Sequence, residues 1–107
     1  MMPMLDNVRK CFLIDSVLYT KHARQEMLGE ERGAITDGEV FEAIQEGEII
    51  ESYPDDEPYP SILIFGKSRQ GRIIHIVSAY SKEDDLAIVI TAYEPDPSRW
   101  INGRRRR

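Results

Sequence analysis

Three runs decide the fold: Ile62-Leu63-Ile64-Phe65, Arg72-Ile73-Ile74-His75-Ile76-Val77-Ser78-Ala79-Tyr80 and Leu86-Ala87-Ile88-Val89-Ile90-Thr91-Ala92-Tyr93. Their β-branched and aromatic content reads as strands. The segments between them, Ser68-Arg69-Gln70-Gly71 and Lys82-Glu83-Asp84-Asp85, are turns too short for a crossover. Successive strands therefore run antiparallel, as a meander. Ile73 to Val77 is largely apolar on both faces, which suits a central strand.

Working back from this meander, Ile49-Ile50 opens a short strand to about Tyr53, and the three prolines of residues 54–60 exclude a regular element there. The preceding half is helical. Leu5 to Ile14 carries Leu5, Val8, Phe12 and Leu13 near helical spacing. Val17-Leu18-Tyr19 reads as an extended link. Thr20 can cap a second helix, about Lys21 to Glu31, which Arg32-Gly33 stops. Thr36-Asp37-Gly38-Glu39 fits a capping box opening a third helix that ends at Gly47. Glu94 to Trp100 is an irregular exit with two prolines. Helices first and strands after predict an α+β fold: two to three N-terminal helices packed on an antiparallel sheet of about four strands. The sheet's other face is expected to be open, or covered by the proline loop and the C-terminal exit.

The length of 107 residues fits a single domain, 1–107, with a core over about 5–100 and a basic tail at 101–107. One cysteine, Cys11, excludes an internal disulfide framework and fits a reducing compartment. No apolar run approaches a membrane span, and the Met1-Met2-Pro3-Met4 start has no secretory character. The expected setting is cytoplasmic, with no membrane association. Charge is uneven: residues 1–60 carry −9 and residues 61–107 carry +4, within a total of −5. Such asymmetry gives a molecule two electrostatic ends, one able to meet an anion; the plainer reading is a solvated acidic helical face and a frayed basic tail.

Few residues carry chemistry. His22 and Glu26 are one helical turn apart, so a carboxylate can fix the imidazole and raise its proton affinity. The plainer reading is a surface pair worth a few tenths of a kcal/mol. His75 sits between Ile74 and Ile76, where a polar side chain needs a partner. Either a backbone carbonyl or water satisfies it, or it faces the open side of the sheet near Arg72, Lys67 or Tyr93. Tyr93, closing the last strand, can donate a proton or hold a phosphate oxygen, although strand-end tyrosines often only pack. Arg24 projects away from the inner face of its helix and could reach a phosphate.

The two histidines and one cysteine give no zinc spacing, the acidic loop has no calcium-loop pattern, and no metal or other cofactor is expected. There is no P-loop and no Gly-x-Ser-x-Gly elbow. Metal-free proton transfer at a phosphodiester suits the remaining residue types, because RNA supplies its own nucleophile, the 2′-hydroxyl.

The segments Tyr19-Thr20-Lys21-His22-Ala23, Glu26-Met27, Gly47-Glu48-Ile49-Ile50-Glu51-Ser52-Tyr53-Pro54-Asp55-Asp56, Arg72-Ile73-Ile74-His75-Ile76-Val77 and Thr91-Ala92-Tyr93-Glu94-Pro95-Asp96 occur in a telling order. Together they resemble a family of small bacterial and archaeal proteins described as a domain of unknown function, which looks like a relative of the RelE and MqsR mRNA-cleaving toxins. The resemblance covers about residues 17–100. It implies a RelE- or barnase-like fold, metal-independent RNA cleavage and a nearby-encoded antitoxin-like partner of zinc-finger character. His22, Glu26, His75 and Tyr93 then become the expected catalytic groups, with Arg24, Lys67, Arg72 and Arg99 as phosphate-binding candidates. RelE-like toxins are usually basic, whereas this chain is −5. The alternative is a non-catalytic module of the same fold that holds a basic or zinc-finger partner; a Ser or Cys hydrolase has no marked nucleophile.

Overall fold

The computed structural model describes residues 3–107; the expectation drawn from Met1-Met2 lies outside them. Among these residues the chain forms three helices, a five-stranded sheet and a two-stranded ribbon. In chain order these are α1 (Met4–Leu13), β1 (Val17–Tyr19), α2 (Lys21–Leu28), α3 (Asp37–Glu46), β2 (Glu48–Tyr53), β3 (Ser61–Lys67), β4 (Ile73–Ser81), β5 (Leu86–Tyr93), β6 (Trp100–Ile101) and β7 (Arg105–Arg106). The fold is α+β.

The meander stands as read. The sheet order is β1-β5-β4-β3-β2, with β2 to β5 antiparallel and β4 in the middle. Val17–Tyr19 is a strand rather than a link, and it runs parallel to β5 with Val17 opposite Ala87. Three residues are too few to show a period, and their partner lies far along the chain.

Helix ends follow from local chemistry. Thr20 accepts the Ala23 N–H, and Thr36 and Glu39 form the reciprocal capping box. The second helix stops at Leu28 rather than Glu31, because Gly29 ends it with its N–H on the Gln25 carbonyl. On α1 the buried positions are Val8, Cys11 and Phe12, while Leu13 faces outward.

All three helices cover one face of the sheet. Val8, Phe12, Ala23, Met27, Val40 and Ile44 meet Ile62, Ile64, Ile74, Ile76, Ala87 and Val89 in one apolar core. Burial at about 25 cal/mol per Å2 of apolar surface makes this layer the main stabilising contact. At Gly66 on β3, α3 comes so close that a Cβ would lie 2.1 Å from the Ala43 carbonyl oxygen.

The opposite face is closed by the C-terminal segment, expected as a frayed tail at 101–107. Trp100 pairs with Arg106 and Ile101 with Arg105 around Asn102-Gly103, both at positive φ. This dipeptide is a turn former of the kind that joins tight hairpins. Arg104 stacks on the Phe65 ring at 4.2 Å and also meets Glu48.

Gly66→Ala is expected to destabilise the fold by about 1–3 kcal/mol or more, because neither the β3 backbone nor the α3 carbonyl can yield easily. Denaturant unfolding measures it, and an unchanged midpoint would contradict the close approach.

Candidate functional site

Strand register assembles the centre of the site. His75 lies opposite Phe65 on β3 and opposite Tyr93 on β5, so all three side chains share the face away from the helices. Trp100 of the ribbon closes over them, its ring 4.5 Å from the imidazole at an interplanar angle of 87°.

His75 is 0% exposed. Nε2 bonds the Gly103 carbonyl, and Nδ1 lies 3.3 Å from the Tyr93 hydroxyl. A carbonyl oxygen can only accept, so Nε2 carries the proton. In the neutral ring Nδ1 then accepts from the Tyr93 O–H. Burial pushes the imidazole pKa below its ordinary value, against the opposing pull of the Gly103 carbonyl. Of the two readings of His75, satisfaction by a backbone carbonyl holds, and the open-side reading near Arg72 or Lys67 is corrected except for its nearness to Tyr93. The imidazole faces Tyr93, and the ribbon covers it.

Beside this pair, Glu26, Tyr93, Glu94, Asp96, Arg99, Trp100 and Arg106 line a cleft of about 310 Å3. Glu26 arrives from α2, which packs on β5. Because β1 pairs only with Ala87 to Val89, the next part of the β5 edge has no neighbouring strand there. Glu26 fills that gap: Oε1 accepts the Ala92 N–H at 3.3 Å and the Thr91 hydroxyl. Burial raises the Glu26 carboxyl pKa, opposed by His22 and the Ala92 N–H. His22 Nε2 stands 3.7 Å from Glu26 Oε1, on the solvent side. Tyr93 is likewise pushed up by burial, with Arg106 acting against it.

Arg106 was not singled out from the run of terminal arginines. It forks onto Glu51 at 2.7 and 3.1 Å and lies 4.6 Å over the Trp100 ring. That bond holds the Glu51 carboxyl below its usual range. The Asn102-Gly103 dipeptide was the available signal, since a tight turn of residues 102–104 folds Arg106 back onto the sheet.

The other cations fall elsewhere. Arg72 is spent within the fold: Nε on Glu94 at 2.7 Å, Nη1 on both Glu39 oxygens at 3.2 Å, and further bonds to the Ala34 and Gly33 carbonyls. It is a strut between α3 and β5 rather than a phosphate ligand. Arg24 is forked on Asp37 and stacked 3.9 Å over Tyr19. Lys67 lies beside Glu42 and Glu46 of α3, in a different cleft. Of the expected phosphate-binding residues, Arg99 alone reaches the Tyr93 cleft. No group of three or more His, Cys, Asp or Glu among the described residues is placed to hold a metal ion.

The buried imidazole gives folding a pH dependence. Its folded pKa lies below the ordinary 6.5 of an exposed ring. Between those values the unfolded chain binds a proton that the folded chain refuses. The His75 contribution is present above about 6.5 and is lost as pH falls toward the lower folded value. Relative to wild type, His75→Phe is expected to show a shallower loss of stability below that pH. It also costs about 1–3 kcal/mol near neutrality, from the orphaned Gly103 carbonyl. Denaturant unfolding of both proteins from pH 7.5 to 5 checks this, and identical slopes would refute it.

No helix among the described residues is long and apolar enough to cross a membrane. Searches of curated proteins and of solved structures found no match. A family described as a domain of unknown function (DUF4258) matches residues 19–94, a span that takes in His22, Glu26, His75 and Tyr93. The chain belongs to that family.

Proposed function

We infer that the protein is a metal-independent endoribonuclease of the mRNA-cleaving toxin type, acting in the Tyr93 cleft. The observation that carries the reading is the convergence of Glu26, Tyr93, Arg99 and Arg106 on that one cleft, with His22 against Glu26. A base, a proton donor and cations are what cleavage of RNA by its own 2′-hydroxyl requires.

In this reading Glu26, its basicity raised by burial, takes the 2′-hydroxyl proton, with His22 Nε2 3.7 Å from Oε1 on the solvent side. The 2′-oxygen bonds to phosphorus, and the bond from phosphorus to the 5′-oxygen breaks. Arg99 faces the charge that gathers on the non-bridging oxygens, while Arg106 stays forked on Glu51 beside the phenol. Tyr93, protonated near neutrality, turns its O–H from His75 Nδ1 to the leaving 5′-oxygen and gives up the proton there, and the positive Arg106 eases that loss. The products are a 2′,3′-cyclic phosphate and a 5′-hydroxyl. The proton on Glu26 returns through solvent to Tyr93. His75 touches none of the reacting atoms; it is a positioning residue that fixes the phenol through Nδ1. An antitoxin-like protein encoded nearby is the partner this activity calls for.

Incubation of purified protein with single-stranded RNA tests the reading. Cleavage is expected to leave 2′,3′-cyclic ends, to fail on a 2′-deoxy strand, and to fall about 100-fold or more in Glu26→Gln and Tyr93→Phe. RNA left intact by folded wild-type protein would overturn it. RNA or partner binding without any cleavage would instead assign the domain to the non-catalytic reading.

A further inference from the structure

A second cleft, of about 480 Å3, adjoins the first. Arg32, Gly71, Arg72, Glu94, Trp100 and Arg107 are among the residues that line it. Glu94 and Trp100 belong to both clefts, so the two are neighbours on either side of that pair. The chemistry differs between them. The first holds the side chains of Glu26, Glu94 and Asp96 beside its arginines, whereas Glu94 is the one acidic side chain among the described residues lining the second.

Glu94 is itself largely neutralised. Its Oε2 takes the Arg72 Nε–H at 2.7 Å, and its Oε1 lies 3.6 Å from Arg32. Arg72 is consumed by Glu94, Glu39 and two carbonyls, as described above. Arg32 and Arg107 are not. Arg32 has 60% of its side chain exposed and meets Glu94 at longer than hydrogen-bond range. Arg107 uses Nε on the Pro97 carbonyl at 2.8 Å, which leaves the outer nitrogens of its fork for another acceptor. Gly71 adds room, since a Cβ built there would meet nothing within 4 Å.

We propose that this second cleft is a phosphate subsite for a nucleotide flanking the scissile bond, with Arg32 and Arg107 as its ligands. The proposal rests on the ribonuclease reading and deepens it. The substrate is then an oligonucleotide gripped over at least two phosphates, one in each cleft. Two guanidinium forks match the non-bridging oxygens of a phosphodiester. Such a grip also reconciles phosphate binding with a chain of net charge −5, because the positive potential is local to this wall rather than spread over the surface.

The test compares uncleavable 2′-O-methyl RNA probes, a dinucleotide and a hexanucleotide, by fluorescence anisotropy over a salt series. Wild type is expected to bind the hexanucleotide more tightly than the dinucleotide. The double variant Arg32→Ala/Arg107→Ala is expected to erase about tenfold of that preference and to lower the salt slope by about 0.7, the value for one lost single-strand phosphate. Lys82→Ala, on the far β4–β5 turn, should leave the preference intact. Circular dichroism confirms that the variants fold. If wild type prefers the hexanucleotide and the double variant keeps that full preference and slope, the subsite is refuted while the ribonuclease reading stands. If wild type neither binds nor cuts RNA, the ribonuclease reading falls first and the subsite with it.

Discussion

A histidine in the middle of a central strand must be given a partner for each ring nitrogen, and that requirement organises the whole non-helical face of this protein. The neighbouring strands place the side chains of Phe65 and Tyr93 opposite His75. The Gly103 carbonyl comes from the C-terminal ribbon, which must fold back across the sheet to deliver it. Gly103 sits at φ +73, with Phe65, Ile73 and Pro95 3.1 to 3.5 Å from where a Cβ would be. Glycine is therefore the residue that lets the carbonyl reach the imidazole. The same ribbon lays Trp100 on the ring and brings Arg106 to the cleft. A buried polar group thus couples the end of the chain to the site.

Arginine pairing explains why net charge says little about this surface. Arg72 joins α3 to β5 through Glu39 and Glu94, Arg24 joins α2 to Asp37, and Arg104 and Arg106 tie the ribbon to Glu48 and Glu51 on β2. Several acids that a count assigns to a repulsive helical face are thus matched within the fold. Exposed pairs such as Arg24–Asp37 contribute little each. The half-buried Arg72 network holds more, because its groups are largely removed from water and from screening.

Local patterns carried most of the architecture. The β-branched runs, the short turns between them and the capping box at Thr36 each encode their structure within a few residues, and each appears where it was read. What the sequence concealed is non-local. The three residues of β1 acquire meaning only beside β5. The terminal arginines read as a solvated tail because their partners Phe65, Glu48 and Glu51 are distant in the chain. The His22–Glu26 spacing did place two groups together, since one helical turn is a local rule. Whether His75 joined them depended on what covered the sheet. The Asn102-Gly103 turn held that information, hidden among charges whose number drew the eye to electrostatics.

The parallel pairing of β1 with β5 has a consequence for how the chain assembles. Val17 meets Ala87, so a loop enclosing nearly the whole sheet must close before β1 gains a single ladder bond. The β2 to β5 meander needs only short closures and can form without it. On the ribosome, α1 and β1 emerge first yet must wait for the last long strand to be synthesised. Until then Val17, Leu18 and Tyr19 have no ladder to join, so this edge of the sheet is the last to close.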